Sequence, residues 1–183
     1  MGYELALKKA WDGLAQSSGQ KQYSLKFLAD EYTIDLNKRQ LLSLSCNAAV
    51  KDHIAVLLLH YLAKKNQGLP GFSGQWSDFK ELSKVEGYQP AFRQRVIERL
   101  IRKYGGNPEG ILTALERLPG EKVNQADLSI KLDVLEGVKV LIELWKADAE
   151  FGPEANMLFD KNITEVFCVE DIVVLSEFIA SQL

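Results

Sequence analysis

The sequence has few of the residues that most often build metal centres and nucleophilic sites. It contains two cysteines and two histidines in 183 residues, and neither cysteine belongs to a Cys-x-x-Cys pair. The usual spacings of zinc and iron–sulfur ligands are therefore excluded. A disulfide between Cys46 and Cys168 stays open, but the pattern favours two buried free thiols in a reducing compartment.

Long apolar runs and a strong charge of one sign are also missing. No window reaches the roughly 18 apolar residues of a membrane-spanning helix, and the first residues do not combine a basic start with an apolar run. The net charge is −3, which creates no general attraction to nucleic acid or to an anionic membrane. The sequence therefore predicts a cytoplasmic protein that binds neither membranes nor nucleic acid.

The apolar content is high enough for a folded core. Hydrophobic residues make up 46% of the chain, and its length suits one domain over residues 1–183. Apolar spacings of three and four predict helices, and strict alternation predicts strands. The predicted helices cover residues 3–15, 48–65, 89–104, 107–118, a turn at 153–159 and a closing segment after 162; the predicted strands cover 22–28, 32–36, 41–44, 126–134 and 138–145. These elements predict an α+β fold, with about six helices on one mostly antiparallel sheet of four or five strands.

Residues 145–160 combine aromatic and carboxylate side chains more densely than any other segment. A predicted strand ends at Trp145 and is followed by Asp148 and Glu150. The next residues, Gly-Pro-Glu, have the pattern of a helix start, so a helical turn is expected from Pro153 to Phe159. Packing and capping explain most of this segment, but the end of a strand does not require Asp148 and Glu150.

A second aromatic segment lies between the predicted helices at 48–65 and 89–104. It contains three glycines together with Phe72 and Trp76. It is not a phosphate-binding loop, because no strand precedes it and no Gly-Lys-Ser/Thr ends it. Two interpretations stay open: a packed surface loop, or a lid that carries Phe72 and Trp76 over a small molecule.

Both histidines lie on the predicted helix at 48–65. His53 and His60 are seven residues apart, about 10.5 Å along a helix axis, which is too far to share one metal ion. Each is therefore expected at the edge of the core with a hydrogen-bond partner. The functional alternative is that His60 faces a pocket.

The predicted helix at 89–104 carries an unusually basic face. A solvated outer surface explains it, and docking of an acidic partner or RNA is the alternative. The absence of interleaved aromatic residues argues against RNA. The cations are Arg93, Arg95, Arg99, Arg102 and Lys103.

Several short motifs occur in order along residues 22–175. They are Leu57-Leu58-Leu59-His60-Tyr61-Leu62, Gly74-x-Trp76-x-x-Phe79-x-Glu81-Leu82, Tyr88-x-x-x-Phe92, Asp127, Trp145-x-x-Asp148-x-Glu150-Phe151, Asn156-x-Leu158-Phe159-Asp160 and Glu170-Asp171. In this combination the chain resembles an uncharacterised prokaryotic family, domain of unknown function 3786. The resemblance implies an origin in anaerobic bacteria or archaea but no particular reaction. Some members carry a cysteine-rich iron–sulfur segment, which this chain lacks, and Leu118-Pro119-Gly120 stands where the family has a glycine pair.

Three functions are compatible with these residues. The first is a binding or accessory module that holds a small molecule or cofactor of unknown identity between aromatic and carboxylate side chains, with a small molecule or an anaerobic redox protein as its partner. Its candidate residues are Trp76, Trp145, Asp148, Glu150, Asp160, His60 and Phe72. This hypothesis requires Trp76 and Trp145 to share a cleft.

The other two functions belong to different classes. One is a carboxylate-dependent divalent-metal enzyme in which Asp148, Glu150 and Asp160 hold the ion, because hard cations prefer carboxylate oxygens. The other is a structural or protein-interaction domain without a small-molecule site. A version of the enzyme hypothesis uses Asp148 and Glu150 as general acid and base, which requires a raised pKa for one of them. The residue pattern does not establish which group, if any, is catalytic.

Overall fold

A computed structural model describes residues 3–183 of the chain and confirms the α+β class. Its strands form two antiparallel sheets, of four and five strands, where the alternating patterns predicted one. The two sheets meet through a backbone hydrogen bond from the Leu28 N–H to the Val134 carbonyl, at 2.8 Å. One apolar core is continuous across both sheets and the helices.

The N-terminal sheet is a meander of strands joined by tight turns. Residues 48 and 49, which were predicted to be helical, instead pair with Leu42 and Ser43. The sheet has the strand order β1-β2-β3-β4 and buries Phe27 and Ile34 on its inner face. Its elements, with the preceding helix, are α1 (Glu4–Ser17), β1 (Gln22–Phe27), β2 (Asp30–Asp35), β3 (Gln40–Ser43) and β4 (Ala48–Ala49).

The central helix α2 (Asp52–Gln67) is the buried helix that its apolar pattern predicted. An irregular loop follows at residues 68–75 and leads to β5 (Trp76–Asp78) and a short 3₁₀ turn, Phe79–Glu81. The aromatic segment therefore contributes a strand that its sequence did not predict.

The basic segment at 89–104 is helical, as predicted, but not uniformly α-helical. It consists of α3 (Gln89–Phe92), a π-helical turn (Arg93–Ile97) and α4 (Glu98–Tyr104). The next segment, Pro108–Glu116, is a 3₁₀ helix instead of the expected α-helix.

The C-terminal sheet has the strand order β5-β9-β8-β7-β6. Its additional strands are β6 (Gly120–Val123), β7 (Leu128–Leu135), β8 (Val138–Trp145) and β9 (Glu154–Asp160). The predicted hairpin is the β7–β8 pair. The helices α5 (Ile163–Val166) and α6 (Val169–Gln182) complete the fold, and α6 packs on α2.

The helical turn predicted from Pro153 to Phe159 was wrong, because this segment is strand β9. Met157 and Phe159 alternate with Asn156 and Leu158 and are completely buried. Pairing with β8 on one side provides the backbone partners that an isolated segment would lack. The local helix-start signal is therefore overridden by the sheet.

Candidate functional site

Trp76 and Trp145 do not share a cleft. Trp76 pairs with Asp160 and Trp145 pairs with Glu154, six positions apart on β9. At about 3.3 Å per residue, they are separated by roughly 20 Å along the strand. The aromatic pocket that required both tryptophans is therefore not assembled in the structure.

Asp148 organises the loop between β8 and β9. Its Oδ1 atom accepts hydrogen bonds from the backbone N–H groups of Glu150, at 2.8 Å, and Phe151, at 2.7 Å. Both bonds lower the pKa of Asp148 because they stabilise the carboxylate, and the bond from Phe151 has the larger effect. The Glu150 side chain is exposed. Formation of this turn accounts for the acid at position 148 without a ligand.

Asp160 anchors the loop at residues 68–75. It is only 6% exposed, and its Oδ2 atom accepts hydrogen bonds from the Ser73 N–H, the Ser73 hydroxyl and the Gly74 N–H at 2.9, 2.8 and 3.0 Å. Its Oδ1 atom accepts one from the Asn162 N–H at 3.0 Å. Asp160 and Asp148 lie at opposite ends of β9, so they do not converge with Glu150 on one ion.

Phe72, in the loop before β5, packs against Trp76, the first residue of that strand. Its ring centroid lies 5.7 Å from that of Trp76, and Lys139 Nζ lies 5.9 Å from the Phe72 centroid. The ring remains 44% exposed. These contacts fit a packed surface loop, and they leave Phe72 and Trp76 away from Trp145.

Trp145 lines a cleft of about 490 Å³ between the start of β9 and the helices α3 and α4. Asp78 and Arg93 lie on its walls, and Phe92 forms part of its base. The Asn156 side-chain amide donates to Asp78 Oδ2 at 3.1 Å. Aromatic and carboxylate groups therefore do meet at Trp145, but Asp148, Glu150 and Asp160 are not among them.

A groove of about 1110 Å³ separates the N-terminal sheet from α4 and α6. Its apolar base includes Phe27 and Phe178, whose rings stack with centroids 4.5 Å apart. Ile54 and Val174 extend this base. The groove is thus an open, amphipathic channel and not an enclosed cavity.

One wall of this groove is the basic face that the sequence singled out. The cations from this helix are Arg95, Arg99, Arg102 and Lys103, and Lys51 adds a fifth from the opposite side. Only Asp30 and Glu177 contribute carboxylates to the lining. In a chain with a net charge of −3, the groove is a local region of positive potential.

The cations differ in how they are engaged. Arg95 Nη1 lies 2.9 Å from Glu177 Oε1, and Lys103 Nζ donates to the Leu183 carbonyl at the end of α6. Arg99 and Arg102 form neither an ion pair nor a side-chain hydrogen bond within residues 3–183. Their guanidinium groups, like the Lys51 ammonium group, have no partner among the described residues that line the groove.

Asp30 forms no ion pair with these arginines within residues 3–183. Its carboxylate accepts hydrogen bonds from the Ser43 hydroxyl at 2.5 Å, from the Ser45 N–H at 3.2 Å and from the Ser45 hydroxyl. Burial acts to raise the pKa of Asp30, but these hydrogen bonds outweigh it and lower the pKa. Asp30 therefore holds the turn after β3 in place.

A second cluster of chemical groups joins α2 to the start of α6. His60 Nδ1 lies 2.8 Å from Asp171 Oδ2, and the Cys168 thiol donates to the same oxygen at 3.2 Å. Asp171 is 5% exposed. The predicted hydrogen-bond partner of His60 is thus confirmed, whereas the prediction of buried thiols was wrong, because Cys46 and Cys168 are both exposed and free.

The protonation of the cluster follows from its contacts. The hydrogen bond to Asp171 raises the pKa of His60 against the opposing effect of burial. Although Cys168 as a residue is exposed, partial burial of its Sγ atom and the adjacent Asp171 carboxylate raise the pKa of the thiol to about 12. The thiol is therefore neutral near pH 7 and a poor nucleophile. Sequence reasoning missed Cys168 and Asp171, although their i, i+3 spacing at a helix start was a visible signal.

The comparisons with known proteins agree with the motif pattern. A family model described as "Domain of unknown function (DUF3786)" matches residues 9–182. No curated protein and no solved structure is significantly similar to the chain. Within residues 3–183, no helix combines the length and apolar character needed to cross a membrane. Because the matched span covers nearly the whole sequence, the chain belongs to the DUF3786 family.

Proposed function

We propose that the protein is a binding module for a small organic anion, which it holds in the groove between the N-terminal sheet and helices α4 and α6. The observation that carries this proposal is the pair Arg99 and Arg102, which line the groove without an ion-pair partner in residues 3–183. The groove volume of about 1110 Å³ accommodates small-molecule ligands, whose sites usually occupy about 300–1,000 Å³.

The two guanidinium groups define the polar part of the ligand. A guanidinium presents a planar fork of N–H donors that matches the two oxygens of a carboxylate or phosphate. Arg99 and Arg102 are three residues apart on one helix, so their side chains lie on the same face. A ligand with one anionic group between them satisfies both cations.

The base of the groove defines the apolar part of the ligand. Phe178 is half-buried and rests on the fully buried Phe27, so one aromatic surface faces the channel. Apolar surface placed on this base contributes roughly 25 cal/mol for each Å² removed from water. The ligand class is therefore a carboxylate or phosphate attached to an apolar or aromatic body.

This proposal keeps the small-molecule hypothesis of the sequence but moves it to other residues. Trp76 and Trp145 lie too far apart to enclose one ligand, and Asp148 and Asp160 serve turn and loop geometry. The divalent-metal enzyme built on these carboxylates has no supporting geometry. A cytoplasmic location and a redox partner in an anaerobic prokaryote are further proposals, supported by the free cysteines and the family resemblance.

The experiment uses 8-anilino-1-naphthalenesulfonate, a fluorescent aromatic anion, as the probe. We expect its fluorescence to rise on titration of the folded protein at low ionic strength, with a defined stoichiometry. R99Q and R102Q should each weaken binding by roughly 10- to 100-fold, because a charge-assisted hydrogen bond contributes about 1.5–3 kcal/mol. Citrate and adenosine monophosphate are added as competitors to compare a bare anion with one that carries an aromatic body.

The matched control is R93Q. Arg93 lies on the same helix and is exposed, but it lines the smaller cleft at Trp145. Removal of its charge changes the net charge by the same amount as R99Q. Two results would show that the groove is not the anion site. One is an equal loss of binding in R93Q and R99Q, and the other is unchanged binding in the R99Q/R102Q double variant.

A further inference from the structure

We propose that His60, Cys168 and Asp171 form a site for a single zinc-class transition-metal ion. The His60 ring nitrogen, the Cys168 sulfur and an Asp171 carboxylate oxygen all lie within 4.8 Å of one another. They come from two elements that are distant in sequence: His60 from α2, and Cys168 and Asp171 from the beginning of α6.

The donor set matches the coordination chemistry of zinc. Zinc accepts imidazole nitrogen at about 2.0–2.1 Å, thiolate sulfur at about 2.3 Å and carboxylate oxygen at about 2.0–2.2 Å. In a tetrahedral site, these bond lengths place the donor atoms on the order of 3.3–3.7 Å apart. Asp171 Oδ2 already lies 2.8 Å from His60 Nδ1 and 3.2 Å from Cys168 Sγ. An ion that binds between these three groups displaces the protons of the two hydrogen bonds to Asp171. The side chains then need to move only slightly.

The framework around these groups is already ordered. The Ile172 N–H donates to the Cys168 carbonyl at 3.0 Å, which fixes Cys168 at the first turn of α6. The i, i+3 spacing then puts Cys168 and Asp171 on one helix face. Packing of α6 on α2 brings His60 to that face, and the Tyr61 and Phe167 rings stack beside it with centroids 6.2 Å apart.

The cluster is open to solvent and incomplete as a tetrahedron. The His60 side chain is 40% exposed, and Cys168 is exposed, so an ion can enter without unfolding. Three protein ligands leave a fourth position for water or another exchangeable ligand. That arrangement is typical of catalytic zinc sites, whereas structural zinc usually has four protein ligands.

This site is separate from the proposed anion groove, because none of its three residues lines that groove. It is also not a nucleophilic cysteine site. The Cys168 thiol donates to the Asp171 carboxylate, whereas reactive thiolates lie beside cationic groups that stabilise their negative charge. The shared carboxylate oxygen instead places all three groups around one centre.

The test is titration of the full chain, without a histidine tag, with Co²⁺ as a spectroscopic substitute for Zn²⁺. We expect one equivalent to bind and to produce thiolate-to-cobalt charge-transfer absorption together with the intense visible bands of tetrahedral cobalt. Zn²⁺ should displace the cobalt and abolish both signals. C168S should lose the charge-transfer absorption, and C168S, H60Q and D171N should each weaken binding by at least about 100-fold.

The chain contains its own matched controls. C46S and H53Q remove the only other cysteine and the only other histidine, and both should bind cobalt like the wild type. D171N removes a buried carboxylate and can perturb folding. C168S alters an exposed residue and H60Q a half-buried one, so these two variants keep the test decisive. Any of three results would overturn the proposal. They are the absence of stoichiometric binding at micromolar cobalt, a charge-transfer band that survives in C168S, and loss of that band in C46S.

Discussion

Asp160 Oδ2 accepts a hydrogen bond from the Ser73 backbone N–H at 2.9 Å, across 87 positions of the sequence. The same oxygen binds the Ser73 hydroxyl and the Gly74 N–H. A buried carboxylate thus replaces the regular backbone pairing that this loop lacks. Because its acceptor sites are used by the loop, Asp160 acts as an anchor for residues 73 and 74.

Asp160→Asn should therefore destabilise the protein substantially. The asparagine amide keeps only one acceptor oxygen, so in either orientation its NH2 group faces at least one former N–H donor, Asn162 on one side or Ser73 and Gly74 on the other. The expected cost is roughly 1–3 kcal/mol. The measurement is the free energy of unfolding from urea denaturation. Asp148→Asn is the control, because its exposed turn remains solvated, and an equal loss in both variants would contradict the anchoring role.

Phe92 should carry much more packing energy than Phe72. The Phe79 and Phe92 rings stack with centroids 4.0 Å apart and an angle of 3° between their planes, and both are buried. Phe92→Ala should lower the free energy of unfolding by about 3–5 kcal/mol. Phe72→Ala removes the same atoms from an exposed ring and should cost less than about 1 kcal/mol. Thermal and urea denaturation of the two variants distinguish these outcomes.

Two adjacent glycines should respond differently to alanine. A Cβ atom on Gly105 would lie 2.6 Å from the Ile101 carbonyl oxygen and 2.8 Å from Pro153 Cγ, whereas one on Gly106 would meet nothing within 4 Å. Gly105→Ala must push α4 away from the Pro153 ring and should cost about 1–3 kcal/mol. Gly106→Ala should leave stability nearly unchanged. Equal melting temperatures for the two variants would show that the Pro153 contact yields easily.

Glu143 should make stability depend on pH. Burial, together with the nearby Asp78 carboxylate, raises the pKa of Glu143 in the folded protein. Ionisation therefore opposes folding: the penalty is absent below the ordinary pKa of 4.5, grows as the pH rises toward the folded-state pKa, and is complete above it.

Glu143→Gln removes that penalty without a large change of shape. The variant should be more stable than the wild type at pH 7, and the difference should vanish near pH 4. Melting temperatures measured from pH 4 to pH 8 test both statements. The exposed Glu165→Gln is the control, and a Glu143→Gln advantage that persists unchanged at pH 4 would contradict the electrostatic cause.

The elements that the sequence predicted well have a local and self-sufficient pattern. The β7–β8 hairpin follows from strict alternation on both sides of Glu136-Gly137, and Gly137 adopts the positive φ of 75° that this tight turn requires. Helix α2 follows from apolar residues repeated at helical spacing over sixteen residues. In both cases, the residues that decide the structure are neighbours in the chain.

The errors occurred where long-range pairing outweighs a local signal. Gly152-Pro153-Glu154 resembles a helix start, but β8 offers an unpaired edge to the next segment, and hydrogen bonds across that edge make it strand β9. Trp76 starts a strand only because the far end of β9 is available to it. Neither edge can be recognised from the segment that joins it.

The sequence by itself determined the fold class, the family, the main helices and the basic face at 89–104, because these depend on residue type and local spacing. Only the tertiary structure decided what those groups face. It placed Arg99 and Arg102 in the groove beside the N-terminal sheet, separated the two tryptophans, and brought His60 to Asp171 across 111 positions. Such meetings depend on how helices and sheet edges pack in three dimensions, and no spacing along the chain specifies that packing.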